Sequence, residues 1–207
     1  MIHAMIDLET LSTNPNAIIL TIGGVKFDPY TIAEPSQGMY FRVDVDKQTS
    51  MGRDVMQDTV DWWSKQPKEI SDEAFSDDNR ASLDDMIKKI NKFSVGVDVF
   101  WCQGPLFDYA ILQDIYKQLI AAGTNNHAVY GNLALICGSD NNFDEAIDLL
   151  KKSLSLNPNY QEGYKLLGLA LKKQGELHAA IKCYKTAISI NQSDPETHYN
   201  LGVALHD

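Results

Sequence analysis

The stretch Ile2-His3-Ala4-Met5-Ile6-Asp7-Leu8-Glu9-Thr10 opens the chain as an apolar strand that ends in two carboxylates. Side chains in a strand alternate between faces, so Asp7 and Glu9 point one way and Leu8 the other. Two like charges this close repel unless a cation sits between them, and hard oxygen donors of this kind suit Mg²⁺ or Mn²⁺. The same pattern also describes a strand that simply ends in polar residues at a surface. Only residues further along the chain can decide between the two.

Downstream, Ala17-Ile18-Ile19-Leu20-Thr21-Ile22-Gly23-Gly24-Val25-Lys26-Phe27-Asp28 is β-rich and closes at the turn signal Asp28-Pro29. A third strand is expected at Gly38-Met39-Tyr40-Phe41-Arg42-Val43, which makes an antiparallel meander. Helices come next: Thr59 to Gln66, stopping before Pro67, and a run capped by Ser82 whose Leu83, Met86, Ile87, Ile90 and Phe93 keep helical spacing. A short strand, Val97 to Trp101, then leads through Gly104-Pro105 into a helix from about Leu106 to Ala122. The order βββααβα is that of an α/β or α+β domain with a mixed sheet. Asp108 lies one turn into the last of these helices. Sites in such sheets form beyond strand ends, which makes Asp108 a candidate third carboxylate. On its own, an aspartate in a first helical turn is more simply explained by the helix dipole.

Composition limits the function classes. The 207 residues are 44% hydrophobic, enough for a core, with a formal charge of −10. Residues 1–123 carry 11 Lys+Arg against 19 Asp+Glu, and residues 124–207 carry 7 against 9. This balance argues against gripping long nucleic acid by clustered basic side chains, and leaves room for an enzyme whose bound divalent ions supply positive charge locally. Cys102, Cys137 and Cys183 are widely spaced and lack CxxC or His pairing, so free thiols are expected. No apolar run reaches the length of a membrane span and no leader pattern opens the chain, so a cytoplasmic protein without a membrane partner is expected.

Taken together, Asp7-Leu8-Glu9-Thr10, the Trp62-Trp63 helix and Trp101-Cys102-Gln103-Gly104-Pro105-Leu106-Phe107-Asp108 resemble the DEDD superfamily of 3′-to-5′ exonucleases, which have a ribonuclease H-like fold. Within it, the match is to the branch of phage exonuclease A-type and bacterial exoribonuclease-like proteins. Gln103 stands where relatives tend to have Asn. The resemblance covers about residues 1–120. It implies that Asp7, Glu9 and Asp108 are catalytic and bind two divalent metals, Mg²⁺ or Mn²⁺, and that Thr10 and Leu11 border the pocket for the terminal nucleotide. The implied substrate is the 3′ end of single-stranded RNA or DNA. The family's third motif, a His or Tyr at fixed helical spacing before a fourth acidic ligand, is missing: downstream of Asp108 no Tyr is followed by Asp at four residues and no His at four or five. The family's last strand and helix are also expected beyond residue 123, where the sequence changes character.

From residue 127 the chain repeats every 34 residues. Tyr130 pairs with Tyr164 and His198, Leu133 with Leu167 and Leu201, Ala146 with Ala180, Leu150 with Tyr184, and Gly168 with Gly202. Asn142-Phe143-Asp144-Glu145-Ala146-Ile147, Leu156-Asn157-Pro158 and Tyr199-Asn200-Leu201-Gly202-Val203-Ala204-Leu205 resemble tetratricopeptide (TPR) repeats, stacked helix pairs that usually bind peptides in the groove of their first helices. Gly131 and Leu135 occupy groove positions where carboxylate-clamping relatives have Lys and Asn, so capture of an acidic C-terminal peptide is not supported.

The expected architecture is a truncated ribonuclease H-like α/β mixed sheet over residues 1–123, with the last strand and helix missing, followed over residues 124–207 by an all-α TPR solenoid of about two and a half repeats. The expected function is a divalent-metal-dependent 3′-to-5′ exonuclease weakened by loss of the third motif. The alternatives are a TPR interaction module for a protein or peptide, carrying a dead exonuclease remnant, and a fusion without function as a unit.

Overall fold

The computed structural model describes residues 2–31, 34–97, 99–102 and 105–206, and divides into two units, residues 1–118 and 119–207. Gln103 and Gly104 of the second motif lie outside the described residues. The first unit is built on a four-stranded sheet of β1 (His3–Thr10), β2 (Ile19–Phe27), β3 (Ser36–Arg42) and β4 (Val99–Cys102), in the order β3-β2-β1-β4. β1, β2 and β3 form the antiparallel meander, and β4 lies parallel to β1 with Ile6 abreast of Cys102. The sheet is mixed, as the strand order in the sequence implied.

Alternation sets which face of β1 is inward. Ala4, Ile6 and Leu8 are buried, and their pairing partners on β2 extend that face through the fully buried Ile22. Helix α4 (Leu83–Ser94) covers it. Ser82 caps α4 by accepting from the Asp85 amide, and Leu83, Met86, Ile87, Ile90 and Phe93 form its buried stripe. The Phe93 ring reaches so close to Gly24 that a Cβ there would lie 3.1 Å from it, and Lys89 sits 5.4 Å above the Phe41 ring. Burying five apolar side chains of this size contributes roughly 1.5–3 kcal/mol each before entropy is counted.

Between β3 and α4 the chain makes three short helices, α1 (Val45–Ser50), α2 (Gln57–Trp63) and α3 (Lys68–Phe75). Of these the sequence pattern predicts only α2, which lies two to three residues earlier than its Trp-Trp pattern suggests. Pro67 ends one helix and begins the next: it cannot continue α2, but its fixed φ suits the cap of α3. Leu11, Ile18, Leu20, Trp63 and Ala74 form a core with Val45 and Val60 against it. After β4 comes α5 (Pro105–Ala121).

The second unit contains α6 (His127–Ser139), α7 (Phe143–Leu156), α8 (Gln161–Lys173), α9 (Leu177–Ile190) and α10 (Pro195–His206). The starts of α6, α8 and α10 are separated by the 34-residue period. Large side chains fill the space left by small ones: a Cβ on Gly168 would lie 2.6 Å from the Tyr184 ring, and one on Gly131 3.0 Å from Tyr160. No helix among the described residues is long and apolar enough to cross a membrane.

Candidate active site on the carboxylate strand

Asp7 and Glu9 lie on the face of β1 opposite to the buried Ile6 and Leu8, and both are half-buried. Across the antiparallel pairing, Asp7 is abreast of Gly23 and then Tyr40, while Glu9 is abreast of Thr21 and then Arg42. Residues paired in this way share a face. A β-bulge between Glu9 and Thr10 ends the regular register just beyond the carboxylates. Gly23 leaves the floor beside Asp7 open, because a Cβ there would meet nothing within 4 Å. Arg42 donates to Glu73 at 2.9 Å, so the far side of the row is tied to α3. Burial first, and then repulsion from Asp7, holds the Glu9 carboxyl above its usual range.

The loop after β1 is fastened from several sides. Thr10 donates its hydroxyl to the Ser12 carbonyl at 2.8 Å, and its own carbonyl accepts from Trp63 Nε1 at 3.0 Å. The Leu11 amide donates to Ile18 O, and Leu11 O accepts from the Met56 amide. Both residues are buried, so the two expected to border the nucleotide pocket are packed into the wall behind the carboxylates. Asp54 accepts from Ser12 Oγ and Asn14 Nδ2, which hold its carboxyl below the usual range and pin the loop.

Asp108 is buried in the first turn of α5, where it hydrogen-bonds the Cys102 thiol. Burial, with Asp108 beside it, pushes that thiol up. Cys102 ends β4 next to Ile6, the residue before Asp7, so the parallel β1/β4 pair brings the third carboxylate to the end of the sheet that holds the other two. Among the described residues, no group of three or more His, Cys, Asp or Glu side chains is close enough to hold a metal ion. The donor chemistry nevertheless fits a divalent cation: Asp7 and Glu9 are hard oxygen donors on one face, and their mutual repulsion is what a cation relieves. The sequence reading missed Cys102 as the partner of Asp108, and Gly23 as the open floor. A Gly-Gly pair inside a strand is the signal for the latter, since glycine there marks close approach.

A family model for the 3'-5' exoribonuclease Rv2179c-like domain matches residues 2–147. The chain belongs to that family. A TPR-repeat model matches residues 168–207. An exodeoxyribonuclease of Enterobacteria phage T4 is 27% identical over 131 residues, which are 58% of this chain and 57% of the relative. The chain thus spans little more than half the length of that curated relative. Among solved structures, the first TPR of Spaghetti (RPAP3) bound to an HSP90 peptide is 18% identical over 59% of this chain and 90% of that one, with a TM-score of 0.49. The Sgt2 TPR domain of Aspergillus fumigatus is 16% identical over 59% of this chain and 77% of that one, with a TM-score of 0.48. This member of the exoribonuclease-like family therefore carries TPR repeats after its sheet domain.

Proposed function

We propose that residues 1–123 form a divalent-metal-dependent 3′-to-5′ exonuclease acting on single-stranded RNA or DNA ends, and that residues 124–207 bind a protein or peptide. The observation that carries the first part is the Asp7-Glu9 pair: two carboxylates on one strand face, with Asp7 adding to the cost that burial puts on the Glu9 charge. Asp7 and Glu9 would hold the metal, Mg²⁺ or Mn²⁺, with Asp108 as a further ligand once its carboxylate turns from Cys102. The chemistry a bound divalent ion supplies is activation of a water and stabilisation of the leaving 3′ oxygen. Thr10 and Leu11, locked by Trp63, Ile18 and Met56, keep β1 from shifting when the strand end binds. The open floor at Gly23 leaves room for the terminal nucleotide beside Asp7.

Downstream of Asp108 no Tyr precedes an Asp by four residues and no His precedes one by four or five, so a general base is not supplied in the usual way, and turnover should be about 10²- to 10⁴-fold below that of an intact relative. The test is release of mononucleotides from a labelled single strand in Mn²⁺. Wild type should be slow but measurable, and Asp7→Ala should lose at least about 100-fold more. Equal rates for the two proteins would refute the assignment. The reading in which the sheet domain is inactive and the repeats alone function is favoured by the burial of Asp108 beside the Cys102 thiol, where it forms no three-ligand group with Asp7 and Glu9. Cys102→Ala discriminates: it should raise the rate if the thiol merely restrains Asp108, and leave it at zero if the domain is inactive.

A further inference from the structure

On the carboxylate face, one step back along β1 from Asp7, Trp101, Met5 and Val25 lie abreast on β4, β1 and β2. Trp101 is held in place along one edge. Its indole N–H donates to His3 Nδ1 at 2.9 Å, and the two rings lie edge to edge, centroids 5.9 Å apart, with an interplanar angle of 28°. His3 itself is buried, with Phe27 edge-on at 5.8 Å. The indole is thus fixed by its N–H edge to a buried imidazole, and Trp101 remains 53% exposed. Two residues along a strand and one strand across separate the Cα atoms of Trp101 and Asp7 by about 8 Å, close to the reach of one nucleotide from phosphate to base. Between them and Tyr40 lies the open floor at Gly23.

Resting on the exonuclease reading, we infer that Trp101 and the recess over Gly23 form the base-stacking platform of the site, with the sugar-phosphate at Asp7 and Glu9. Aromatic rings are sequence-tolerant stacking surfaces because every base has a π-face. The charge pattern selects the occupant. A nucleic-acid strand lying over Asp7 and Glu9 binds only when a divalent ion neutralises them, whereas an apolar protein segment docking on Met5, Val25 and Trp101 needs no ion. The two carboxylates also interrupt the apolar stripe, which is unlike the continuous apolar patch of a protein interface.

The experiment is equilibrium binding of a labelled single-stranded pentanucleotide to the full chain, with and without Ca²⁺. Wild type should bind only with the ion. Trp101→Ala should weaken binding by about five- to a hundredfold, the range for one lost base stack, and Trp101→Phe should recover most of it. Gly23→Val places its Cβ where nothing lies within 4 Å and puts a β-branched residue in a strand, so it should fold and still weaken binding. A strand abasic at its last two positions should bind wild type and Trp101→Ala alike, which a merely structural role of Trp101 would not produce. If Trp101→Ala and Gly23→Val bind the intact strand as wild type does, the platform is overturned while the exonuclease reading stands. If Trp101→Ala leaves binding intact and instead changes the metal-free protein's association state in light scattering, the face is a protein interface and the platform is overturned. If wild type binds no strand at any ion concentration and releases no mononucleotide, the exonuclease reading fails and takes this inference with it.

Discussion

The sheet unit and the repeat unit solve the packing problem differently. In the repeats, close contacts set an aromatic ring over a glycine: Tyr184 fills the space over Gly168, and Tyr160 fills the space over Gly131 and Gly163. In the sheet unit, distant segments are joined by buried polar side chains. Gln48, fully buried, accepts from the Ile19 amide and donates to Ile19 O, both at 2.9 Å. Arg53 donates twice to Ala17 O and once to Asp114 at 2.7 Å, joining the loop after β1 to α5. The glycine contacts of the repeats therefore rest on shape, and the ties made by Gln48 and Arg53 in the sheet unit rest on hydrogen bonds that fail badly when one partner is lost. All three tryptophans lie in the sheet unit, so their fluorescence follows it alone, while far-ultraviolet helicity is weighted toward the repeats.

Arg53, whose guanidinium is fully buried, is where this contrast should break most severely. Burial pulls its pKa down while Asp114 opposes that, a balance that depends on the pair staying intact. Arg53→Met leaves Ala17 O without its donors and Asp114 without its cation, and should cost the sheet unit about 3 kcal/mol. Urea unfolding followed by tryptophan fluorescence reads this directly, and an unchanged midpoint would mean that the polar ties are not what holds this unit.

Next come two glycines that occupy the same repeat position. Gly168→Ala puts a methyl group into the Tyr184 ring and should cost about 1–3 kcal/mol by overpacking. Gly202→Ala meets nothing within 4 Å, so it should gain roughly 0.5–1 kcal/mol of helix propensity. Opposite signs in helicity-detected unfolding would confirm that the repeats are governed by steric fit; equal shifts would contradict it.

The same difference explains what is legible from sequence. The 34-residue period places all five repeat helices because residues such as Leu133, Leu167 and Leu201 recur at fixed spacing, and the alternation in β1 together with the stripe of α4 places the sheet and its cover. α1 and α3 escape such reading: α1 is six residues long, and Pro67 reads as a stop although it also starts a helix. Arg53 and Gln48 carry no periodic signature, since their partners lie tens of residues away. In the site, the shared face of Asp7 and Glu9 follows from alternation alone. The coupling of Asp108 to Cys102 depends on how a helix leaves β4, which spacing does not encode.

A smaller change is expected at Tyr184. Its hydroxyl is buried with no hydrogen-bond partner among the described residues, and burial pushes its pKa up to about 12. An unsatisfied buried hydroxyl costs free energy, so Tyr184→Phe should keep the ring over Gly168 and stabilise the repeats by up to about 1 kcal/mol. Loss of stability would show that the hydroxyl has a partner that shape alone does not account for.

The slightest change distinguishes the functional part of the sheet unit from its structural part. Glu9 holds its proton more tightly in the folded state than in the unfolded chain, because it is partly buried beside Asp7. The folded state therefore binds more protons in the window between the ordinary glutamate range and the raised value. What Glu9 contributes is present below that window and is lost as pH rises through it. Glu9→Gln removes the charge while keeping the shape, so in metal-free buffer it should flatten this part of the stability-pH curve and raise the melting temperature slightly at neutral pH. Mn²⁺ should stabilise wild type by relieving the same repulsion, as any ligand of the native state does, and should stabilise Glu9→Gln less. A pair kept for packing would behave oppositely: the substitution would lower the melting temperature, and the ion would not distinguish the two proteins.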